Sequence, residues 1–296
     1  MHLGNARTAL LAWLDARARG GRILLRIEDL DRDRCRPAHA DALRADLEWL
    51  GLDWDAETAP QSTRDGAYAA AVEALAAAGE VYECFCTRRE LAVASAPHGP
   101  DAERRYPGTC RDLSPAERAA RRADGRRPAL RVRMPTDPVT VDDRLHGPVT
   151  QDVAAVVGDV TVRRSDGLYA YQLAVVVDDA ADGVTDVVRG DDLLPSTPRQ
   201  VVLQRLLGLP APAYAHVPLV LGQDGARLAK RHGAVTLAEL RDAGVAAGRV
   251  VGALAASAGL APAPARCTPA ELVAGFAIER VTRAPARLPA LALPAA

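Results

Sequence analysis

A segment rich in arginine and proline, running from Tyr82 to about Arg163, divides the sequence into two parts. On both sides of it, short runs of Val, Ile or Leu alternate with helical patterns, such as that from Pro37 to Leu50. This alternation is typical of an α/β domain with a buried sheet. We therefore predict one α/β domain interrupted by an inserted α+β domain. With 296 residues, 49% of them hydrophobic, the chain is long enough to bury two cores.

Three cysteines lie inside the dividing segment: Cys84, Cys86 and Cys110. Three thiolates and one further oxygen or nitrogen ligand complete a tetrahedral zinc site, which stabilises small domains that lack a large core. His98 lies between the cysteines and offers a common type of fourth ligand. The competing interpretation is a set of buried free thiols.

Arginines are densest just after these cysteines. Eight arginines occupy 23 positions, and acidic residues are interspersed among them. They are Arg111, Arg118, Arg121, Arg122, Arg126, Arg127, Arg131 and Arg133. A solvated helix face explains about half of them, and contacts with the phosphates of a nucleic acid explain a patch of this density. Because the net charge of the whole chain is −1, any such surface must be local.

The first helix begins close to the start of the chain. Asn5, the only asparagine, is a good helix N-cap, and Ala6 to Arg19 has an amphipathic pattern. The amino end of a helix binds phosphate through unpaired N–H groups and its dipole. Gly4 would let a phosphate approach the backbone, and His2 could donate a hydrogen bond to it.

Lys230 is the only lysine, and the other 36 of the 37 Lys and Arg residues are arginine. A lysine is a compact charge on a flexible stem, which suits a loop that grips phosphate. Together with His2 it indicates a nucleotide clamp. A further candidate is Glu28, which ends an apolar run, Arg22–Glu28, predicted to be a strand; ligands of open α/β sheets gather at such carboxyl ends.

Several of these stretches resemble one known family. His2-Leu3-Gly4-Asn5 and Arg227-Leu228-Ala229-Lys230-Arg231 are similar to the two signatures of class I aminoacyl-tRNA synthetases. Arg26-Ile27-Glu28-Asp29 is similar to a segment of the glutamyl branch, and the resemblance continues in order over nearly all of residues 1–240. Further matching segments are Val177-Asp178-Asp179, Val188-Arg189-Gly190-Asp191-Asp192, Ser196-Thr197-Pro198-Arg199-Gln200 and Ala215-His216-Val217-Pro218-Leu219.

The resemblance implies a Rossmann-like class I catalytic domain and a role for each candidate. Glu28, Tyr171 and Arg189 would bind glutamate, with Arg189 forming a bidentate contact to a carboxylate. His2 and Lys230 would be catalytic, stabilising the charge of the triphosphate together with Mg²⁺. The full set of implied ATP-binding residues is His2, Gly4, Asn5, Arg227 and Lys230. The implied zinc ligands are Cys84, Cys86, Tyr106 and Cys110.

The implied reaction is the tRNA-independent activation of glutamate with ATP, followed by transfer of glutamate to the queuosine base in the anticodon loop of tRNA(Asp). Short members of the glutamyl branch match this chain best, because Val175 stands where the discriminating enzymes have Asn. Two alternatives remain: a truncated glutamyl-tRNA synthetase, and a non-catalytic relative that binds zinc and RNA.

The predicted domain limits are 1–81 and 164–235 for the two halves of the catalytic domain, 82–163 for the zinc-bearing insertion, and 236–296 for a short helical tail. The family places a strand and a Pro-rich turn before the first signature, whereas the chain starts at Met1. A late start codon and a damaged copy both explain this, and the persistence of the other motifs favours the first. We also expect a cytoplasmic monomer without a membrane span, since no run of eighteen apolar residues occurs.

Overall fold

The computed structural model describes residues 1–32, 35–94, 105–221, 235–262 and 265–288. In chain order the helices are α1 Leu3–Ala18, α2 Pro37–Leu50, α3 Asp65–Ala77, α4 Arg88–Ala94, α5 Pro115–Ala123, α6 Val153–Val156, α7 Tyr171–Ala181, α8 Thr197–Leu207, α9 Leu237–Asp242, α10 Ala247–Ser257 and α11 Pro269–Val273. The strands are β1 Leu24–Leu25, β2 Ala56–Glu57, β3 Val81–Cys84, β4 Ala129–Val132, β5 Val139–Asp143, β6 Gly147–Gln151, β7 Val160–Arg163, β8 Asp186–Gly190, β9 Ala213–Val217, β10 Val220–Leu221 and β11 Ala286–Arg287.

Helix α1 begins earlier than the sequence suggested. Its first residue is Leu3 and its N-cap is His2, whose Nδ1 accepts a hydrogen bond from the backbone N–H of Asn5 at 3.3 Å. The prediction that Asn5 caps the helix is therefore wrong. Asn5 is a good cap by type, but the imidazole three residues earlier already occupies the capping position.

The predicted strand Arg22–Glu28 is shorter than expected. Only Leu24–Leu25 pairs as a strand, in parallel with β2. The chain nevertheless stays extended, because the backbone carbonyls of Leu25 and Ile27 accept hydrogen bonds from the N–H groups of Thr58 and Gln61 at 2.9 and 3.1 Å. These hydrogen bonds hold residues 24–27 beside residues 56–61, so Glu28 still follows an extended run.

The largest sheet of the described residues has the strand order β6-β5-β9-β8. Strands β8 and β9 pair in parallel, β9 pairs in parallel with β5, and the hairpin β5-β6 is antiparallel. Residues 139–151 therefore share a sheet with the second catalytic half. The domain limits at residues 82 and 163 stay a prediction, and this pairing describes how part of that segment is built.

A second, antiparallel sheet has the order β3-β4-β7 and carries Cys84 at the end of its first strand. Helix α5 follows the cysteines and starts with a capping box between Ser114 and Glu117. This sheet belongs to the dividing segment, and the end of its first strand holds Cys84.

Apolar side chains of α3, α7 and α8 pack with those of β4, β5 and β7 in one core. A second core joins α1 and α2 to the C-terminal helices α9 and α10. The predicted limits of α2, Pro37 to Leu50, are confirmed. Pro37 suits the first turn of a helix, and Gly51 ends it with φ of 79°. Among the described residues, no helix has the length and apolar character needed to cross a membrane.

Candidate active site

Arg189 is the centre of a buried hydrogen-bond network at the end of β8. Only 9% of the residue is exposed. Its Nε donates to Nε2 of His216 at 3.0 Å, and its Nη2 donates to Thr197 Oγ1 at 2.8 Å and to Gln200 Oε1 at 2.7 Å. These bonds use the hydrogens on Nε and Nη2, so the Nη1 end remains to face a substrate. The predicted bidentate contact of Arg189 with a carboxylate stays a prediction.

His216 is held in one tautomer by its other neighbour. Its Nδ1 lies 2.6 Å from Oδ2 of Asp143, and both side chains are completely buried. The neutral ring therefore donates from Nδ1 to the carboxylate and accepts from Arg189 at Nε2. Burial lowers the pKa of His216, which keeps the ring neutral. Burial alone would raise the pKa of Asp143, but the hydrogen bond from His216 and two backbone N–H bonds hold it below its ordinary value.

Tyr171 lies close enough to both Glu28 and Arg189 to interact with their charges. Burial, and then the negative charge of Glu28, raise the pKa of Tyr171 to about 12, while Arg189 opposes the shift. Tyr171 is thus a neutral hydroxyl between an acid and a cation at neutral pH. Surrounding protein raises the pKa of the Glu28 carboxyl, yet 39% of its side chain is still exposed and open to a ligand.

Arg26 ties Glu28 to α7. Its Nη2 lies 2.6 Å from Oδ1 of Asp179 and 3.4 Å from Oε1 of Glu28, and its Nη1 lies 3.2 Å from Oδ2 of Asp182. The two aspartates neutralise Arg26 and hold its guanidinium in place. Glu28 therefore has a fixed cationic neighbour.

The residues predicted to bind ATP lie partly in the described structure. Since Nδ1 of His2 accepts from the Asn5 backbone, the neutral ring carries its hydrogen on Nε2, which is a donor. A Cβ atom on Gly4 would lie 3.2 Å from the His2 ring, so glycine leaves room for this imidazole. Arg227 and Lys230 lie outside the described residues, and their roles stay predictions.

The three predicted cysteine ligands lie together. The sulfur atoms of Cys84, Cys86 and Cys110 are all within 4.8 Å of one another, and Cys86 and Cys110 are 3.6 Å apart. Zinc–sulfur bonds of about 2.3 Å in a tetrahedron place two sulfurs about 3.8 Å apart. The hydroxyl of Tyr106 lies 3.4 Å from Cys84 Sγ and accepts the N–H of Cys110 at 2.9 Å. The cluster therefore fits a tetrahedral ion; His98 lies outside the described residues.

Electrostatics in the cluster favour a bound cation. The hydrogen bond from Cys86 lowers the pKa of the Cys84 thiol, and the same contact raises the pKa of Cys86. Burial raises the pKa of the Tyr106 hydroxyl. A divalent ion would stabilise the Cys84 thiolate and would favour loss of the protons from Cys86 and Tyr106.

The structure thus brings Glu28, Tyr171 and Arg189 into one neighbourhood and the cysteines with Tyr106 into another. Sequence reasoning missed the roles of Asp143 and His216. His216 lies in one of the segments that resembled the family, and that was its only signal. Asp143 gave none, because its contact with His216 exists only through the pairing of β5 with β9.

Comparison with known proteins places this geometry in a family. The model of the tRNA synthetases class I (E and Q), catalytic domain, matches residues 1–264. The chain belongs to this family, and its catalytic fold is the α/β fold of the class I synthetases.

Two relatives with the same name share more than half of the aligned residues with this chain. The chain is 54% identical over 300 residues to the Glutamyl-Q tRNA(Asp) synthetase of Symbiobacterium thermophilum, covering 98% of this chain and 93% of the relative. It is 57% identical over 286 residues to the protein of the same name from Nocardia farcinica, covering 96% and 88%.

A solved structure shows the same fold. The glutamate tRNA ligase of Elizabethkingia meningosepticum, in complex with its amino acid, superposes with a TM-score of 0.82 at 27% identity. The match covers 98% of this chain but 65% of the ligase, so this chain spans less than two thirds of that protein's length.

Proposed function

We propose that this chain activates glutamate with ATP and transfers it to the queuosine base in the anticodon loop of tRNA(Asp). The observation that carries the proposal is the similarity, over almost the whole chain, to two relatives named for this activity. The family match and the convergence of Glu28, Tyr171 and Arg189 support it. The domain limits predicted from the sequence form part of the same proposal.

The amino-acid site follows from charge complementarity. Arg189 offers its Nη1 end to a carboxylate of glutamate, and Glu28 accepts the ammonium group through its exposed carboxylate. Tyr171 stays protonated between them and donates its hydroxyl hydrogen. A neutral glutamine side chain lacks the charge that a buried guanidinium requires, so this arrangement selects glutamate.

ATP binds at the amino end of α1, where His2 carries its ring hydrogen on Nε2 and the positive end of the helix dipole faces the phosphates. Lys230 and Arg227 would approach from the second signature, and Mg²⁺ supplies charge neutralisation when bound with ATP. The α-carboxylate of glutamate attacks the α-phosphorus, and pyrophosphate leaves. A hydroxyl of the queuosine base then attacks the carbonyl of the adenylate; an ester forms, AMP leaves and the hydroxyl proton is lost.

Cys84, Cys86, Cys110 and Tyr106 would hold one zinc ion with a structural role. The donor set is soft and compact, and the sulfur spacing fits a tetrahedron. The metal would fix the end of β3 against the chain at Tyr106.

The test offers radiolabelled glutamate, ATP and Mg²⁺ with tRNA(Asp) that carries or lacks queuosine, and with tRNA(Glu). The proposal expects label only on tRNA(Asp) with queuosine. Label on tRNA(Glu) would instead favour a glutamyl-tRNA synthetase, and label on tRNA(Asp) lacking queuosine would exclude the modified base as the acceptor.

A further inference from the structure

A cavity of about 490 Å³ lies between the cysteine cluster and the start of α7. Four arginines contribute to its wall: Arg88, Arg105, Arg131 and Arg199. Tyr106 lines it on the side of the cysteines, and Ala170 and Gln172 line it on the side of Tyr171. A volume of this size falls within the range of small-ligand sites, about 300–1,000 Å³.

The charge of the cavity is strongly positive. Among the described residues of its wall, Asp159 is the one acidic side chain, and its carboxylate already accepts from Arg111 at 3.1 Å and from the Tyr82 hydroxyl at 2.6 Å. By contrast, Arg105 donates to the carbonyl of Ala154 and Arg131 to the carbonyl of Asp159, which carry no charge. Even with Arg199 left out, Arg88, Arg105 and Arg131 outnumber this one acidic side chain, and an anionic ligand would balance their charge.

In contrast to the cavity, half of the arginine patch predicted from the sequence is neutralised by ion pairs. Four of its eight members form ion pairs at 2.6–3.5 Å. The pairs are Arg111–Asp159, Arg122–Glu83, Arg126–Glu90 and Arg133–Asp112. Among the described residues, the cavity is thus a better phosphate site than the outer face of the patch.

Arg131 also offers a surface for stacking. Its guanidinium carbon lies 3.8 Å from the centre of the Tyr106 ring, so the planar group is supported from one side by an aromatic that the cysteine cluster holds in place. Guanidinium planes and aromatic rings are the surfaces on which proteins stack unpaired RNA bases. Phosphate-binding arginines beside a stacking surface are typical of single-stranded RNA sites.

The cavity adjoins the proposed glutamate site. Gln172 follows Tyr171 directly, and its Oε1 accepts from Nε2 of Gln200 at 2.8 Å, while Gln200 in turn accepts from Arg189. The two sites therefore share one wall at the start of α7. A nucleotide in the cavity would lie next to the activated amino acid.

We propose that this cavity binds an unpaired, phosphate-bearing nucleotide of the acceptor RNA, with Arg88 and Arg105 contacting phosphate and Arg131 supporting the base. This inference rests on the proposed function for the identity of the RNA. The arginine cavity itself is defined by the structure.

The experiment measures the affinity of the full chain for tRNA(Asp) carrying queuosine at several salt concentrations. Arg88→Ala and Arg105→Ala are compared with Arg127→Ala, which removes the same charge from an exposed position outside the cavity wall. Each cavity variant should reduce the slope of log affinity against log salt by about 0.7, the value for one lost single-strand phosphate contact. ATP–pyrophosphate exchange with glutamate should stay unchanged in both, because ATP binds elsewhere.

Equal slopes of log affinity against log salt for the cavity variants and Arg127→Ala would overturn the proposal. The arginines of the cavity would then attract the RNA only through the overall charge of the protein. A fall in ATP–pyrophosphate exchange would also overturn it, by assigning the arginines to ATP. Because binding is measured separately from transfer, failure of the unsubstituted chain to glutamylate tRNA(Asp) would count against the proposed function and leave the binding result to decide the cavity.

Discussion

Nε of Arg189 donates to Nε2 of His216 at 3.0 Å, and the opposite nitrogen of the same imidazole lies 2.6 Å from Asp143. This geometry makes His216 a positioning residue, because the carboxylate selects the tautomer that accepts from Arg189. In the proposed function, the orientation of the guanidinium toward glutamate thus depends on an aspartate on a different strand of the same sheet.

Substituting His216 should weaken glutamate binding selectively. His216→Phe leaves the buried Nε–H of Arg189 without an acceptor, which costs about 1–3 kcal/mol. We expect the KM for glutamate to rise about 10-fold or more, while the KM for ATP stays near its original value. His216→Gln restores an acceptor and should recover much of the loss. Equal changes in both KM values, measured by ATP–pyrophosphate exchange, would indicate general damage to the fold.

Protonation of His216 should destabilise the protein in mild acid. Burial places its folded pKa below the ordinary value of 6.5, so the unfolded chain binds a proton on this ring before the native protein does. The stabilising contribution is fully present above about pH 6.5 and is lost as pH falls from there through the lower folded pKa.

The free energy of unfolding, measured with denaturant at pH 7.5 and 5.5, should therefore fall more for the unsubstituted chain than for His216→Gln. Asp191 lies close enough to interact with His216, but it is present in both proteins and its contribution cancels in the comparison. An equal loss in the two proteins would contradict a neutral, buried His216.

Metal content tests the cysteine cluster. Elemental analysis should find about one zinc per chain, and Cys110→Ser should release it and loosen the β3-β4-β7 sheet. Tyr106→Phe should lower zinc affinity, whereas His98→Ala should leave it unchanged. The reverse pattern would identify His98 as the fourth ligand. If the unsubstituted chain contained no zinc, the cysteine cluster would not be a zinc site.

Gly158 provides a structural test of the same cluster. Its φ is +74°, and an added Cβ would lie 2.2 Å from the carbonyl oxygen of Tyr106. Gly158→Ala should therefore displace Tyr106 and lower both zinc affinity and stability. Gly125→Ala is the matched control, since Gly125 has φ of +76° and a Cβ added there would meet no atom of the described residues within 4 Å. The left-handed backbone alone costs about 1–2 kcal/mol. The loss of stability in Gly158→Ala should exceed the loss in Gly125→Ala.

Lys230, outside the described residues, is tested by function. Removing one charge-stabilising donor costs about 10²-fold or more in rate, and arginine should recover only part of that because its planar fork differs from an ammonium group. Lys230→Ala should therefore nearly abolish ATP–pyrophosphate exchange, and the rate of Lys230→Arg should fall between those of Lys230→Ala and the unsubstituted chain. An unchanged rate in Lys230→Arg would contradict the predicted role of Lys230 in stabilising the charge of the triphosphate.

The sequence predicted most reliably what depends on local signals. Pro37 and Gly51 mark the ends of α2, and both limits are confirmed. The spacing of Cys84, Cys86 and Cys110 predicted a cluster that the structure brings together. Asn5 shows the limit of such reasoning, because a good capping residue lost its position to the side chain of His2.

Long-range register was beyond the sequence. Asp143 pairs with Tyr214 across β5 and β9, and this register places its carboxylate beside His216. Asp143 and His216 are 73 positions apart, and nothing in the sequence around one of them indicates the other. The arginine cavity could not be predicted for the same reason, since its wall combines residues of α4, β4, β7, α7 and α8, which are far apart in the sequence.

The site of attachment on the RNA distinguishes transfer to the anticodon loop from transfer to the 3′ end. tRNA(Asp) carrying queuosine, once labelled with radioactive glutamate by this chain, can be cut by ribonuclease into an anticodon stem-loop fragment and a 3′-terminal fragment. We expect label in the stem-loop fragment, and undiminished labelling when the 3′-terminal adenosine has been removed beforehand. Label that lies in the 3′-terminal fragment and disappears with that adenosine would contradict this expectation.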